Sequence, residues 1–481
     1  MKIKTHSLFL IVLFSTLMFA RAESVVVTVD TNAAGPEISP DFIGVSYEMS
    51  AILPDRDGRY FFRADNKPLV EVFRTLGIKS LRVGGNTADR PSVKVPGEAD
   101  IDSLFTFARA AGVKVLYTLR LNEGQPKEAM TGPVEAGSKE ILKPYDPKAD
   151  ARLANYILDK YAANLDCFII GNEVDHYYAD YPSYRQAWER FAGEITSPEA
   201  RFCGPSTTGH RVAWAGEFAR DLGRSHRVSF ITQHQYPAGS GRITNVAAAR
   251  GKLLSPKIDE VYQKFYDAFV PEVLGAGQHF RLEECNSFSN GGARGVSDAF
   301  AASLWGIDYM YWWAAHGASG LNFHTSGAHS TMRYAVFAAE PDGCNVHPLG
   351  YALKAFDFGC HGRLAAAKLS PPEKNLRVWA VRGADGALFI TLINKDYAAG
   401  ADALKVTLES GGASWSGQAM FLSAASQGVE ATTGITLDGA SIQDDGSWNG
   451  GWIALTPQSD RSHFVIDLPS ASVAVVKLTG K

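Results

Sequence analysis

Short apolar runs alternate with longer amphipathic stretches through most of the chain. Eight of the short runs are rich in β-branched and aromatic residues and predict strands, at residues 41–48, 80–85, 114–121, 167–173, 201–206, 229–236, 280–286 and 320–325. Between them, apolar residues recur three and four positions apart, which indicates helices that connect parallel strands. Eight strand–helix pairs over roughly 320 residues predict an α/β fold, a (β/α)8 TIM barrel at residues 39–358. A doubly wound open sheet is the alternative, but no glycine-rich phosphate loop follows the first strand.

Strict alternation replaces this pattern after residue 358. Residues 359–481 hold short runs in which every second residue is apolar, divided by Gly, Asp, Asn and Ser turns. Such a sequence is typical of an antiparallel β-sandwich, which we expect as a C-terminal domain. Residues 23–38 alternate in the same way ahead of the barrel. We therefore expect them to form an N-terminal strand that joins the sandwich.

The first 22 residues have the features of a secretion signal. Lys2 and Lys4 precede an apolar run, and Ala20, Arg21 and Ala22 form an A-x-A cleavage pattern. The run is shorter than the ~20 residues that span a bilayer. We expect residues 1–22 to be a cleaved signal peptide. The mature chain would then be exported, to the periplasm or outside the cell, without a membrane anchor.

Composition and charge disfavour several classes of protein. Hydrophobic residues make up 46% of the chain and charged residues 20%, as in a folded globular protein rather than a disordered one. The formal net charge of −4 offers no overall attraction for nucleic acid. The five cysteines match no CxxC or Cys/His metal pattern. We expect no nucleic-acid partner, no metal and no cofactor.

Catalytic side chains of such barrels project from the carboxyl ends of the strands. Glu173 ends the fourth predicted strand, directly after an apolar run, Gly171 and Asn172. Loss of hydration at the mouth of a buried strand is expected to raise the pKa of this carboxyl toward the range of a general acid. The competing interpretation is a cap or ion pair at the next helix, a role that would suit Asp175 or Asp180 better.

Two adjacent glutamates, Glu283 and Glu284, stand near the end of the seventh predicted strand. Because side chains alternate along a strand, we expect only one of them to face the barrel interior, and periodicity does not decide which. Carboxylates on the fourth and seventh strands face each other across a barrel mouth. Such a pair can cleave a glycosidic bond, with retention at a separation of ~5–5.5 Å and inversion at ~6.5–9.5 Å.

Four short motifs fall on predicted strands in order along the chain. They are FIGVSYE at 42–48, LRVGGN at 81–86, GNE at 171–173 followed by Asp175, and RLEECNS at 281–287 followed by NGG at 290–292. Together they resemble glycoside hydrolase family 79, the β-glucuronidase and heparanase family within the large clan of retaining barrel glycosidases. The architecture of that family is a barrel plus a β-sandwich that takes an N-terminal strand. The resemblance covers essentially the whole chain after the expected signal.

This resemblance implies a role for each matching residue. Glu173 would be the general acid/base and Glu284, rather than Glu283, the nucleophile. Substrate-binding residues would be Asn172, Glu48, Tyr236, Asn86, Ser289, Gly291 and Tyr334. Asn172 would bind the sugar 2-hydroxyl, and Tyr236 would donate a hydrogen bond that keeps Glu284 ionised.

The loop after the nucleophile departs from the family pattern. Glucuronide-cleaving relatives place a tyrosine five residues past the nucleophile to hold the sugar carboxylate, where this chain has Ser289. Gly291 and Gly292 remain as backbone donors, and Arg294 is a candidate substitute. The resemblance implies a retaining exo-β-glucuronidase acting on a glycan or glycoside. An exo-β-glycosidase for a neutral sugar, such as a β-xylosidase or β-glucosidase, and a carbohydrate-binding pseudoenzyme are the alternatives.

Overall fold

A computed structural model describes most of the chain. The described residues are 25–123, 143–224, 227–240, 243–327, 332–340, 343–398, 400–401, 403–409, 415–425, 428–458 and 463–480. The expected signal peptide at residues 1–22 lies outside them. Within these residues, every helix is too short or too polar to cross a bilayer.

Eight parallel strands form a closed barrel. After a first strand β1 (Val25–Glu37), the barrel strands are β2 (Ile43–Glu48), β3 (Ser80–Gly84), β4 (Lys114–Leu119), β5 (Leu165–Ile170), β6 (Phe202–Thr207), β7 (Val228–Gln235), β8 (Phe280–Cys285) and β9 (Ala318–His324). The sheet closes because β2 pairs with β3 on one side and with β9 on the other. The barrel predicted from the sequence is confirmed, and the open-sheet alternative is wrong.

Helices surround the barrel and connect its strands. They are α1 (Lys67–Thr75), α2 (Glu98–Ala111), α3 (Pro147–Tyr161), α4 (Tyr181–Glu194), α5 (Trp214–Leu222), α6 (Val246–Leu254), α7 (Ile258–Asp267), α8 (Val270–Gly275), α9 (Phe300–Ala315) and α10 (Pro348–Gly359). Side-chain caps fix several of their starts: Asn66, Asp146, Asp180 and Asn245 each accept a hydrogen bond from a backbone N–H in the first turn. These caps set where each connection leaves the barrel rim.

The C-terminal strands form a second sheet that packs as a sandwich. After a hairpin of β10 (Phe337–Glu340) and β11 (Gly343–Val346), they are β12 (Arg363–Ser370), β13 (Leu376–Arg382), β14 (Leu388–Asn394), β15 (Leu404–Glu409), β16 (Trp415–Ala424), β17 (Ile435–Leu437), β18 (Ile453–Leu455), β19 (His463–Leu468) and β20 (Ser472–Gly480). Strand β1 lies in this sheet, between β12 and β15, so the predicted N-terminal strand is confirmed. One pair, β1 with β15, is parallel. No hairpin constrains its direction, because the two strands are far apart in sequence.

Helix α9 joins the two domains. All but the last of its residues are buried, including Trp305 and Trp313, because the barrel packs on one side of it and the sandwich on the other. At the sandwich side the buried Asp308 binds Lys395 at 2.6 Å and the indole N–H of Trp379 at 2.7 Å. This pairing fixes the sandwich against the barrel wall.

Candidate active site

A large cavity opens at the carboxyl ends of the barrel strands. Its volume is about 1190 Å³. Eight of the nine predicted site residues line it: Glu48, Asn86, Glu173, Tyr236, Glu284, Ser289, Gly291 and Tyr334. Asn172 is the exception. It is buried, and its amide is occupied by Arg82, whose Nη2 donates to Oδ1 at 2.5 Å. The side-chain amide of Asn172 is therefore not exposed to the cavity, where a sugar hydroxyl would have to meet it.

Glu173 lies just after β5, and two histidines hold its side chain. Its backbone lies in the left-handed region at φ 46°, a conformation that non-glycine residues adopt rarely and often at functional sites. This turn directs the side chain into the cavity. His234 Nδ1 lies 3.2 Å from Oε1, and His176 Nε2 lies 3.4 Å from Oε2.

The electrostatics of Glu173 differ from the sequence-based expectation. Burial opposes ionisation, as predicted, but hydrogen bonds from His176 and His234 outweigh it and lower the pKa of this carboxyl. The prediction of a raised pKa is therefore wrong for the free protein. It failed because both histidines are brought to Glu173 by the fold, one from the following turn and one from β7.

Glu284 lies opposite, on β8, and is strongly stabilised as a carboxylate. Arg82 Nη1 donates to Oε2 at 2.7 Å, and the Tyr236 hydroxyl donates to Oε1 at 2.9 Å. Burial opposes ionisation, but the charges of His324, His234 and Arg82 outweigh it and lower the pKa of Glu284 to about 2. Glu284 is thus an anion over the whole physiological range.

The neighbouring Glu283 also points inward. On one side β7 pairs Gln233 with Leu282 and then His234 with Glu284, so β8 holds one extra residue at this point. The pairing with β9 shifts over the same stretch. Such a bulge interrupts alternation and turns consecutive side chains to the same side. The prediction that only one glutamate faces the interior is therefore wrong: Glu284 lines the cavity, and Glu283 lies fully buried beneath it.

Arg82 and His234 complete the charged cluster, and neither was among the predicted site residues. Arg82, fully buried on β3, reaches Glu284 and Asn172 and lies 4.0 Å from Glu283. His234 lies between the acids, 3.2 Å from Glu173 and 3.6 Å from Glu283. Burial alone would lower the pKa of His234, but Glu284, Glu173 and Glu283 raise it to about 10. The sequence held one indication of Arg82: it is the only charged residue in a predicted strand that is otherwise mostly apolar.

The remaining predicted residues form the cavity wall. Glu48 is oriented by Thr87, whose N–H and hydroxyl both donate to Oε2, at 2.8 and 2.6 Å. Beyond β8, Asn290, Gly291 and Gly292 all have positive φ and turn the chain toward Tyr334. The Gly291 carbonyl accepts a hydrogen bond from the backbone N–H of Arg333 at 2.6 Å, and Gly291 and Tyr334 both line the cavity. Arg294 is exposed and does not line the cavity.

The two candidate carboxylates approach closely. One oxygen of Glu173, one of Glu284 and a ring nitrogen of His234 all lie within 4.8 Å of one another. This spacing would also suit a metal ion, but the three groups already compensate one another's charge, together with Arg82. A second group with metal-ligand spacing, Asp357, Cys360 and His361, lies at the end of α10, and none of its members lines the cavity.

Comparison with known proteins gives structural relatives only. No family model matches the sequence, and no curated protein matches it. A 4-O-α-L-rhamnosyl-β-D-glucuronidase from Fusarium oxysporum has a similar structure, with a TM-score of 0.70 at 16% identity over 94% of this chain and 99% of that one. A family 51 arabinofuranosidase from Xanthomonas axonopodis pv. citri has a TM-score of 0.64 at 14% identity over 95% of this chain and 100% of that one.

A third similar structure is a bifunctional glucanase-xylanase from a metagenome library. Its TM-score is 0.60 at 14% identity, over 95% of this chain and 99% of that one. Each of the three likenesses covers nearly the full length of both chains. At these identities they establish a shared fold, a barrel with a sandwich, and leave the activity to be argued from the site.

Proposed function

We propose that this chain is a retaining exo-β-glycosidase, most specifically a β-glucuronidase. The observation that carries the proposal is the approach of Glu173 and Glu284 to within 4.8 Å, oxygen to oxygen, in one cavity. Retaining glycosidases hold their carboxyl groups ~5–5.5 Å apart, whereas inverting enzymes need ~6.5–9.5 Å to admit a water molecule. The short separation favours double displacement.

In the first step Glu284 would attack the anomeric carbon. A bond forms between its carboxylate oxygen and that carbon while the glycosidic C–O bond breaks, and Glu173 delivers a proton to the departing oxygen. In the second step Glu173 takes a proton from water, which displaces Glu284 and releases the sugar with its original anomeric configuration. Arg82 and Tyr236 support this role of Glu284, because they keep its carboxylate ionised and oriented.

The proton for the leaving group has a local source. The lowered pKa of Glu173 and the raised pKa of His234 favour an ionised carboxylate beside a protonated imidazole, with Nδ1 3.2 Å from Oε1. We therefore treat the two residues as one acid that holds a single proton. Transfer along this hydrogen bond gives a neutral carboxyl facing the glycosidic oxygen.

A glucuronide as substrate is supported by two observations. One is the name of the Fusarium glucuronidase, whose fold this chain shares at a TM-score of 0.70. The other is the turn at Gly291, which places a backbone N–H and the Tyr334 side chain at the cavity wall. Donors of this kind suit a sugar carboxylate. A neutral glycone is the second candidate, favoured by Ser289 at the position of the family tyrosine and by the exposure of Arg294 outside the cavity.

A panel of aryl β-glycosides tests the function. We expect the glucuronide to be hydrolysed at least about tenfold faster in kcat/KM than the xyloside or glucoside, a difference of about 1.4 kcal/mol. The reverse preference would establish the neutral glycone. Binding of glycans without turnover of any glycoside would establish the pseudoenzyme instead.

Three variants test the residues. Glu284→Ala and Glu173→Ala should each lose activity, by about 100-fold or more, while Glu199→Ala, at an exposed position away from the cavity, should match the wild type. Azide should restore turnover in Glu284→Ala and give an azido sugar of inverted configuration. Full activity in Glu284→Ala would overturn the proposed nucleophile.

We also propose that the protein is exported, on the strength of the signal pattern at residues 1–22. Amino-terminal sequencing of the protein recovered from the periplasm or medium of an expressing bacterium should begin at Glu23. Recovery of the intact amino terminus in the cytoplasm alone would contradict export.

A further inference from the structure

Glu283 is a buried acid that double displacement does not use. Its side chain has no exposed surface, and Oε1 lies 3.6 Å from His234 Nε2 while Oε2 lies 4.0 Å from Arg82 Nε. Both separations exceed a hydrogen bond, so Glu283 acts on these groups through its charge. A buried carboxylate is costly to the fold unless its charge does something for its neighbours. Because Glu283 lies directly under His234, its charge acts mainly on that imidazole.

His234 lies where charged groups from four other strands converge. The titratable and charged groups around it are Glu173 after β5, Glu283 and Glu284 on β8, and Arg82 on β3, with His176 beyond Glu173 and His324 beyond Glu284. Ser206 on β6 adds a neutral hydroxyl 3.2 Å from Nε2. Three carboxylates therefore surround the imidazole, against one guanidinium. Of the three carboxylates, only that of Glu283 faces Nε2, whereas Glu173 and Glu284 face Nδ1.

We propose that Glu283 is a positioning residue: the β8 bulge fixes it beneath His234, where its permanent negative charge keeps one proton on the pair of His234 and Glu173 and directs the His234 Nδ1–H at Glu173. This inference rests on the proposed glycosidase function for the reaction it serves. It adds a third carboxylate to the pair, one that never touches the sugar.

The reaction cycle explains why the two cavity carboxylates do not suffice. Glu284 loses its charge when it becomes an ester, and Glu173 alternates between acid and base. The charge that each gives to His234 therefore changes at every step. Glu283 is excluded from the cavity and keeps its charge throughout, so His234 has a constant partner on its far nitrogen.

Glu283→Gln tests the inference, because it removes the charge and preserves the shape. Removing a negative charge beside a proton-binding pair lowers the pKa at which the pair loses its proton. We expect the basic limb of the kcat/KM profile to move to lower pH by about one to three units. The substrate is the aryl glycoside that the wild type hydrolyses best. Asp308→Asn, which removes a buried carboxylate from a different network, should leave the profile in place.

Magnetic resonance of isotope-labelled histidine provides a readout without turnover. We expect the His234 ring of the wild type to remain protonated at both nitrogens through neutral pH, and to lose its proton at a lower pH in Glu283→Gln. His234→Gln identifies its signal among the twelve histidines. If Glu283→Gln does not fold, the titration of His234 in the wild type still tests the inference. A neutral His234 ring at neutral pH would overturn it.

Superimposable pH profiles and titrations of wild type and Glu283→Gln would also overturn it. Failure of the proposed function is a separate result. In that case the wild type hydrolyses none of the aryl glycosides, whereas the titration of His234 still reports on Glu283.

Discussion

Two fully buried arginines, Arg82 and Arg281, lie toward opposite ends of the barrel and are partnered in different ways. Arg281 lies at the amino-terminal end of β8, where all three of its guanidinium nitrogens donate hydrogen bonds. Its partners are the carboxylate and carbonyl of Asp41 and the amide of Asn322, at 2.7–3.0 Å. Arg82 lies near the carboxyl end, where Nη1 and Nη2 donate but Nε has no hydrogen-bond partner among the described residues.

We interpret the Arg281 ion pair as structural and the Arg82 ion pairs as functional, because their partners differ. Arg281 has one carboxylate in contact and a hydrogen bond from each of its three guanidinium nitrogens, an arrangement that favours stability. Arg82 serves Glu284 and Glu283 at once, and its charge lowers the pKa of both carboxyls. In barrel enzymes the carboxyl end carries chemistry and the amino end carries stability. The same side chain therefore has two uses, set by the end of the strand on which it stands.

Arg82→Met should have the largest effect. The variant removes the cation from a cluster of carboxylates, so we expect kcat/KM to fall by about 100-fold or more, and the free energy of unfolding to fall by about 3–5 kcal/mol. Kinetics on the aryl glycosides and urea unfolding check both. Wild-type kcat/KM in this variant would remove Arg82 from the site.

Arg281→Met should affect stability without affecting chemistry. It leaves the buried Asn322 amide without its donor and the partly exposed Asp41 without its ion pair, so the free energy of unfolding should fall by about 3 kcal/mol. Activity per folded molecule should equal that of the wild type, because Arg281 does not line the cavity. A loss of kcat as large as that of Arg82→Met would show that the two ends do not differ as described.

Asp89, another buried charge at the carboxyl end, should make stability depend on pH. It accepts backbone hydrogen bonds from Leu121, Asn122 and Asn172, but burial outweighs them and raises its pKa to about 6. Below about pH 4 the residue is protonated in the folded and the unfolded chain alike. As pH rises toward 6, the unfolded chain releases the proton first, so the contribution of Asp89 falls by about 3 kcal/mol.

Asp89→Asn mimics the protonated acid, so its free energy of unfolding should not show this fall between about pH 4 and pH 6. Urea unfolding of both proteins between these pH values measures the difference. If the wild type and Asp89→Asn change in parallel, burial of Asp89 is not the cause of the pH dependence.

Tyr236→Phe should have the smallest effect. It removes one neutral donor from Glu284 and leaves the 2.7 Å bond from Arg82 in place. A hydrogen bond to a charged group contributes about 1.5 kcal/mol or somewhat more, so kcat should fall about tenfold. The acidic limb of the pH profile should move upward, because the phenol favours the ionised carboxyl. A loss that matches Arg82→Met would place Tyr236, not Arg82, at the centre of the cluster.

Much of the fold could be predicted from the sequence because it rests on local periodicity. The alternation of strands and helices gave the barrel, and the position of Glu173 and Glu284 at strand ends placed them at one mouth. The role of each residue stays a prediction until it is tested. Strand β1 was also predictable, since its alternation matches that of the sandwich strands rather than that of the barrel.

What sequence reasoning missed depends on contacts between distant residues. Alternation could not reveal the bulge, which is defined by the pairing of β8 with both neighbouring strands. The pKa of Glu173 depends on the nearby His176 and also on His234, which is 61 residues away. Asn172 was expected in the cavity, but Arg82, which is 90 residues away in the chain, donates to its amide oxygen. None of these contacts has a local signature.

Covalent trapping tests the assignment of Glu284 as the nucleophile. The protein would be incubated with a 2-deoxy-2-fluoro-β-D-glucuronyl fluoride, or with the corresponding fluoride of its preferred sugar, then digested and analysed by mass spectrometry. We expect one glycosylated peptide, with the sugar on Glu284. A sugar on Glu283, or an unlabelled protein that hydrolyses glycosides with inversion, would contradict the mechanism.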